Sequence, residues 1–158
     1  MKITINSSVV IALSHLHQLH NLKETYEEVT VATAVYREIT ENGRGLTGDA
    51  DLRAAVKAGE IKLKTPTDRH LTLALIDPLG EGEAETIALA KQENATAVLD
   101  DRQARAKAKT LNIPLQGTIR TLKQLSDTGH LTGMTLRQAI EKLPETGFHI
   151  SKTITDKL

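Results

Sequence analysis

Short apolar runs separated by amphipathic stretches recur along the chain, and their spacing predicts strands alternating with helices. Lys2 to Ile5 alternates and stops at Asn6, and Ser7-Ser8 then precede Val9 to Leu13, a pattern that reads as strand, turn and helix. Polar Glu24 to Glu28 leads into a second strand, Val29-Thr30-Val31-Ala32, after which Thr33 is the expected N-cap of a helix over Ala34 to Thr40. Asn42 to Gly48 reads as a flexible loop, and Asp49 to Ala58 as a helix closed by Gly59 with Leu52, Ala55 and Val56 inward. Ile61-Lys62-Leu63-Lys64 alternates and predicts a strand with one polar face, near a sheet edge. Residues 67–79 carry Leu71, Leu73, Leu75, Ile76 and Leu79 in a spacing that fits a loosely helical connector or an extended cover equally well.

The stretch Gly80 to Asp101 concentrates the polar chemistry. Glu81, Glu83 and Glu85 crowd the start of a predicted helix, where carboxylates favour the positive end of the macrodipole, and Ala84, Ile87, Ala88 and Lys91 follow at helical spacing. Glu83 stands three to four residues before Thr86 and Ile87, so it borders the buried stripe, whereas Glu81 and Glu85 read as helix-start charges. Ala95 to Leu99 has the length of a buried parallel strand and stops on Asp100 and Asp101. Arg102 to Leu111 is a helix with Ala104, Ala108 and Leu111 inward and Arg102, Arg105 and Lys109 on another side. Those cations read either as a solvated basic face or as contacts to phosphate or an acidic partner. Ile113-Pro114-Leu115 is a short edge strand, and Gly117-Thr118 turns into a helix bearing Ile119, Leu122 and Leu125 that ends near Gly129. Thr135 caps a further helix with Leu136, Ile140 and Leu143 inward, and Gly147 to Leu158 is a tail expected to dock through Ile150 and Ile154.

This alternation predicts an α/β fold with a parallel sheet covered on both faces and right-handed crossovers. A chain of 158 residues is most simply one domain with its own core. The absence of cysteine excludes disulfides and thiolate metal sites. The longest apolar run, Val9 to Leu13, is too short for a signal peptide or a membrane span, so a cytoplasmic protein without a membrane partner is expected. Twenty basic and twenty acidic residues cancel, which argues against a domain that coats nucleic acid by bulk charge but leaves open an enzyme acting on it. Aromatic residues are confined to Tyr26, Tyr36 and Phe148, so no extended stacking platform is visible and the core must be aliphatic.

In a parallel sheet the carboxyl ends of neighbouring strands share one edge, and ligands bind there. Asn6, Asp100 and Asp101 fall on that edge, and Glu38 and Glu83, on helices leaving it, can approach them. On spacing alone Glu38 also reads as an ordinary helix glutamate with a surface partner. Carboxylates converging without a matching lysine repel one another unless a cation sits among them, and oxygen donors suit a hard ion, magnesium or manganese. Such a site fits phosphodiester hydrolysis. His15, His17 and His20 have no accompanying acid nearby and read as ordinary helix residues rather than a metal site. A receiver domain needs an acid pair at its first strand, a haloacid-type phosphatase needs Asp-x-Asp, and a serine hydrolase needs Gly-x-Ser-x-Gly; none is present, nor is a glycine-rich phosphate loop.

Several stretches together, INSSVVIAL at the start, VATAVYREI at 31 to 39, GEAETIALA at 82 to 90, AVLDDRQAR at 97 to 105, QGTIRTL at 116 to 122 and GFHIS near the end, resemble the PIN-domain family in order and over nearly the whole chain. More narrowly they resemble a PIN-like subfamily of formerly unknown function, often encoded beside small antitoxins. The resemblance implies a three-layer α/β/α sandwich around a mainly parallel sheet of about five strands, spanning residues 1–158 with a helical extension from about residue 135. It implies a Mg2+- or Mn2+-dependent endoribonuclease, the toxin of a toxin-antitoxin module, with an RNA substrate, a small antitoxin partner and a homodimer. Carried over residue by residue, Glu38, Glu83 and Asp101 are catalytic, Asn6, Glu38, Glu83, Asp100 and Asp101 hold metal, Ser8 and Thr118 support them, and Arg102 and Arg105 meet phosphate or a partner. Asn6 departs from the usual aspartate. An amide oxygen still ligates a hard cation but with one charge fewer, so the resemblance also admits a catalytically weakened PIN-fold module that binds RNA or a protein.

Overall fold

The computed structural model describes residues 1–155. Its strands are β1 (Lys2–Ile5), β2 (Glu28–Ala32), β3 (Lys62–Lys64), β4 (Thr96–Val98) and β5 (Leu115–Gln116). After β1 come α1 (Ser7–His15), a 3-10 turn (Leu19–Asn21) and the single turn α2 (Leu22–Thr25). After β2 come α3 (Thr33–Arg37), a π-helical turn (Glu38–Asn42) and α4 (Asp49–Lys57). Helices α5 (Arg69–Leu79) and α6 (Glu81–Gln92) lead from β3 to β4, and α7 (Arg102–Thr110) leads to β5. Then follow α8 (Thr118–Asp127), α9 (Leu136–Lys142), a 3-10 turn (Leu143–Thr146) and α10 (Lys152–Thr155).

All five strands run parallel in the order β3-β2-β1-β4-β5, and helices cover both faces as a three-layer α/β/α fold. The chain builds outward from β1 to β3, then returns to the other side of β1 for β4 and β5. The gap between β1 and β4 is therefore the topological switch point, where loops part and leave a crevice. Ile5 of β1 lies opposite Val98 of β4, so whatever follows these strands meets there.

Two-residue strand periodicity divides the core. Ile3, Ile5, Val29, Val31 and Val98 face a cluster with Val9, Leu13, Leu16, Leu52, Leu122 and Ile140, whereas Ala97 and Leu99 face Leu75, Ile87, Ala104, Ala108 and Ile113. On the pleats between Ile3 and Ile5 and between Val29 and Val31, buried Thr4 and Thr30 lie in register and join hydroxyls at 2.7 Å. Among the described residues no buried side-chain polar atom lacks a partner: Gln18, for example, donates to the Leu16 and Thr132 carbonyls and accepts from Thr132 N–H and Asn21. Losing one such partner costs about 1–3 kcal/mol, so these bonds specify the packing.

Local chemistry sets the helix ends. Thr135 caps α9, as the sequence predicts, and Gln138 completes a reciprocal capping box with it; Asp68 caps α5 by accepting from Leu71 N–H at 2.9 Å. That cap decides residues 67–79 in favour of a helix, broken near its end at Asp77. Other boundaries move. The first helix starts at Ser7 rather than after the serine pair, because the Asn6 carbonyl already accepts from Val9 and Val10 N–H. Thr33 is not an N-cap: Ala32 takes that place, and the Thr33 hydroxyl meets Thr65 Oγ1 at 2.6 Å on the neighbouring connection. The last strand lies at Leu115–Gln116, one to two residues beyond the expected Ile113 to Leu115. Ile150 packs against the first core cluster, Ile154 is partly exposed, and positions 156–158 of the tail lie outside the described residues. No helix among the described residues is long and apolar enough to cross a membrane.

Candidate active site

Four elements deliver Asn6 and the expected acids to the switch point. Asn6 terminates β1, is buried, and its backbone N–H reaches the Val98 carbonyl at 3.4 Å. Glu38 opens the π-helical turn, whose wider ring is closed by Gly43 N–H on the Glu38 carbonyl at 2.9 Å. One extra residue per turn re-aims the side chains that follow α3, and such insertions recur at functional sites. Glu83 lies in the first turn of α6, and Asp100 and Asp101 follow β4. The hollow over this edge measures ≈ 500 Å³ and is walled by Glu38, Glu41, Glu81 and Glu83, with Arg37 as its cation.

Glu83 reports how closely these groups approach. Its carboxyl is pushed above the ordinary glutamate range, first by partial burial, then by the charges of Asp101 and Glu38; its own backbone N–H and the Asn6 amide, which donates to it, oppose the shift. Asn6, Glu38, Glu83 and Asp101 therefore form one electrostatic group. Asn6 contributes a donor where an aspartate would contribute a fourth charge.

The remaining carboxylates are held by hydroxyls and backbone amides rather than by cations. Ser7 Oγ donates to Glu38 Oε2 at 2.8 Å. Asp100 accepts from Thr118 N–H at 2.8 Å, from the Thr118 hydroxyl at 2.6 Å and from the Ser8 hydroxyl at 3.2 Å, so it ties α1 and α8 to the end of β4. Asp101 Oδ2 caps α7 through Ala104 N–H at 2.9 Å. Arg105 donates to the Leu99 carbonyl at 2.8 Å, fastening α7 to the strand, while Arg102 is exposed. Glu85 turns away from the acids and accepts from Ala34 N–H at 2.8 Å, so it completes the start of α3 from the neighbouring helix in addition to charging its own. The histidines disperse: His15 pairs with Glu145 at 2.6 Å and His20 with Glu60 at 2.8 Å.

Three contributors escape a reading of spacing. Ser7 as well as Ser8 reaches an acid, because a doublet after a strand does not say which hydroxyl turns inward. Gly82 permits the approach of two helices: a Cβ there would stand 2.8 Å from Glu38 Oε2 and 3.7 Å from Asn6 Oδ1. Glu85 acts across 51 positions of sequence, and no local pattern encodes that contact.

The donors are all oxygens, which suits a hard divalent cation. They are gathered rather than closed: among the described residues no group of three or more His, Asp or Glu could by itself hold a metal ion. Magnesium keeps several waters and takes few protein carboxylates, so an open hollow of this kind fits its habits.

The family model of a PIN domain matches residues 2–158. No curated protein matches the chain.

Proposed function

The chain belongs to the PIN-domain family, whose chemistry is of nuclease type and uses divalent metal ions, and on that premise we propose that it is a Mg2+- or Mn2+-dependent endoribonuclease. Support comes above all from one observation: half-buried Glu83 lies within the fields of the Asp101 and Glu38 carboxylates, and among the described residues no lysine or arginine forms a salt bridge with any of the three. Leaving three carboxylates uncompensated at a ligand-binding edge lowers stability unless a cation completes the site. Glu38, Glu83 and Asp101 would hold the ion, with Asn6 and Asp100 beside them as further oxygen donors. A bound divalent ion there supplies Lewis acidity toward the scissile phosphate and lowers the pKa of a water.

The chain's own residues do the rest. Ser7 fixes one oxygen of Glu38, leaving the other for the hollow. Ser8 and Thr118 orient Asp100, and the Asp100 bonds keep the ends of β4 and α8 in register with Asp101. Arg102 and Arg105 flank the acids as cations that would meet phosphates of the strand. A toxin role, with a small protein antitoxin, RNA as target and a homodimeric state, completes the proposal.

One observation favours a second reading, a weakened module that binds RNA or a protein: the Asn6 amide donates to Glu83, a job that an aspartate could not do. Cleavage of a labelled RNA with Mg2+ and with chelator separates the two. Asp101→Asn is the informative variant, because asparagine caps a helix as well as aspartate, so α7 is preserved while the charge is lost. Chelator-sensitive cleavage that vanishes in Asp101→Asn supports the nuclease. Cleavage that survives it sinks the assignment, and activity appearing only in Asn6→Asp favours the weakened module.

A further inference from the structure

Among the described residues, hollows lie at the centre and on both sides of the carboxyl edge of the sheet, and their charges differ. The central one is acidic. On the β3 side, Arg37 and Arg69 are balanced by Glu81 and Glu85. On the β5 side, a groove of ≈ 430 Å³ is lined, among the described residues, by Arg105, Arg120 and His149 against one carboxylate, that of Asp100. That carboxylate accepts from Thr118 and Ser8 and forms no salt bridge with either guanidinium among the described residues, so the groove keeps an excess of positive charge. Arg105 is fixed by the Leu99 carbonyl, and Arg120 is exposed on the first turn of α8. Its apolar lining is formed by Ile119, Ile154 and half-buried Phe148, the chain's one phenylalanine. Asp100 lines this groove and is the chain neighbour of Asp101 in the acid group, which makes the two spaces neighbours.

We propose that this groove is a separate subsite seating a single-stranded RNA segment that flanks the cleaved bond, with Arg105, Arg120 and His149 on its phosphates and Phe148 against a base. The inference rests on the nuclease reading for the location of the cleaved bond. Cations spaced around a cleft with an aromatic wall match a strand, whose charges repeat along its backbone and whose unpaired bases expose a stacking face. An acidic peptide would satisfy the cations but leaves the aromatic wall and the continuity with the acid group unexplained. The neutral composition of the chain fits the same picture, because binding charge is concentrated locally rather than spread over the surface.

The test is a fluorescence-anisotropy titration of the full chain with a 2′-O-methyl single-stranded oligonucleotide in chelator, over a series of salt concentrations. Arg120→Gln should weaken binding by about tenfold and reduce the slope of log affinity against log salt by about 0.7, one phosphate contact. Arg137→Gln, which removes the same charge on α9 beside Glu141 and outside the groove, should change neither. Phe148→Leu should weaken binding with the salt slope intact, because stacking releases no counterion. Equal affinity and slope for the parent and Arg120→Gln overturn the subsite, as does an oligonucleotide that fails to bind the parent or an acidic peptide that displaces it. Because the titration contains no metal and no cleavable bond, groove binding that persists in a chain unable to cut RNA would defeat the nuclease reading and leave the subsite standing.

Discussion

The two edges of the sheet carry glutamates in opposite electrostatic states. At the amino edge, Glu28 meets Lys62 at 2.6 Å and Lys64 at 3.2 Å, Glu60 meets Lys23 and His20, and Glu93 meets Lys64 at 2.8 Å. The hydrogen-bonded lysine in each case holds the carboxyl below the ordinary glutamate range. At the carboxyl edge Glu83 moves the other way, because burial and like charges dominate. The same side chain is a structural fastener at one edge and a candidate ligand at the other, and the presence of a lysine within reach decides which. Acid count alone does not distinguish them.

The largest effect should come from removing a charge at the carboxyl edge. Glu83→Gln or Asp101→Asn should lower Mg2+-dependent RNA cleavage on the order of 10²- to 10³-fold, the several kcal/mol expected when a cation's hold on a transition state is lost. Activity near the parent level in both would erase the contrast between the edges. Next comes Gly82→Ala. Its Cβ falls 2.8 Å from Glu38 Oε2, so the carboxylate must move, and a displacement of about 1 Å can cost up to ~10²-fold in rate. Alanine is also the better helix former by about 1 kcal/mol, so melting should show an unchanged or higher Tm beside the lost activity.

A third prediction uses stability against pH, with chelator present. Glu83's folded pKa lies above its unfolded one, so its ionised form opposes folding; that penalty is full above the raised pKa and disappears below the unfolded value. Glu83→Gln should therefore raise Tm at neutral pH and converge with the parent in acid, and Mg2+ should stabilise the parent but not the variant. The sign reverses for Glu28, whose folded pKa is depressed: its contribution is present above the unfolded pKa and is lost as pH falls through the folded one. Glu28→Gln should cost only about 0.2–1 kcal/mol at neutral pH, less at high salt, because its lysine partners are solvated, and it should leave cleavage unchanged. A Tm that rises in Glu28→Gln, or falls in Glu83→Gln, would break the comparison.

Much of the fold was legible in advance because it rests on local rules. Alternation marks β1 and β3, short apolar runs mark β2 and β4, the lysines of Lys62-Leu63-Lys64 place β3 at an edge, and Thr135 starts α9. These signals act within a few residues, so they survive without knowledge of neighbours. The stretch 67–79 stayed ambiguous because its leucines fit two periods, and only the Asp68 cap and packing on α6 chose the helix.

For the site, the sequence by itself determined which oxygen donors follow strands: Asn6, Asp100 and Asp101 are placed by strand ends alone. Only the tertiary structure decided their state. The crossing of α3 and α6 at Gly82 brings Glu38 beside Glu83, Ser7 rather than Ser8 holds Glu38, Glu85 supports α3, and Arg105 and Arg120 meet the tail around one groove. The physical reason is range. Propensity and periodicity are written along the chain, whereas a carboxylate's pKa and partners depend on charges a few ångströms away that belong to residues tens of positions distant.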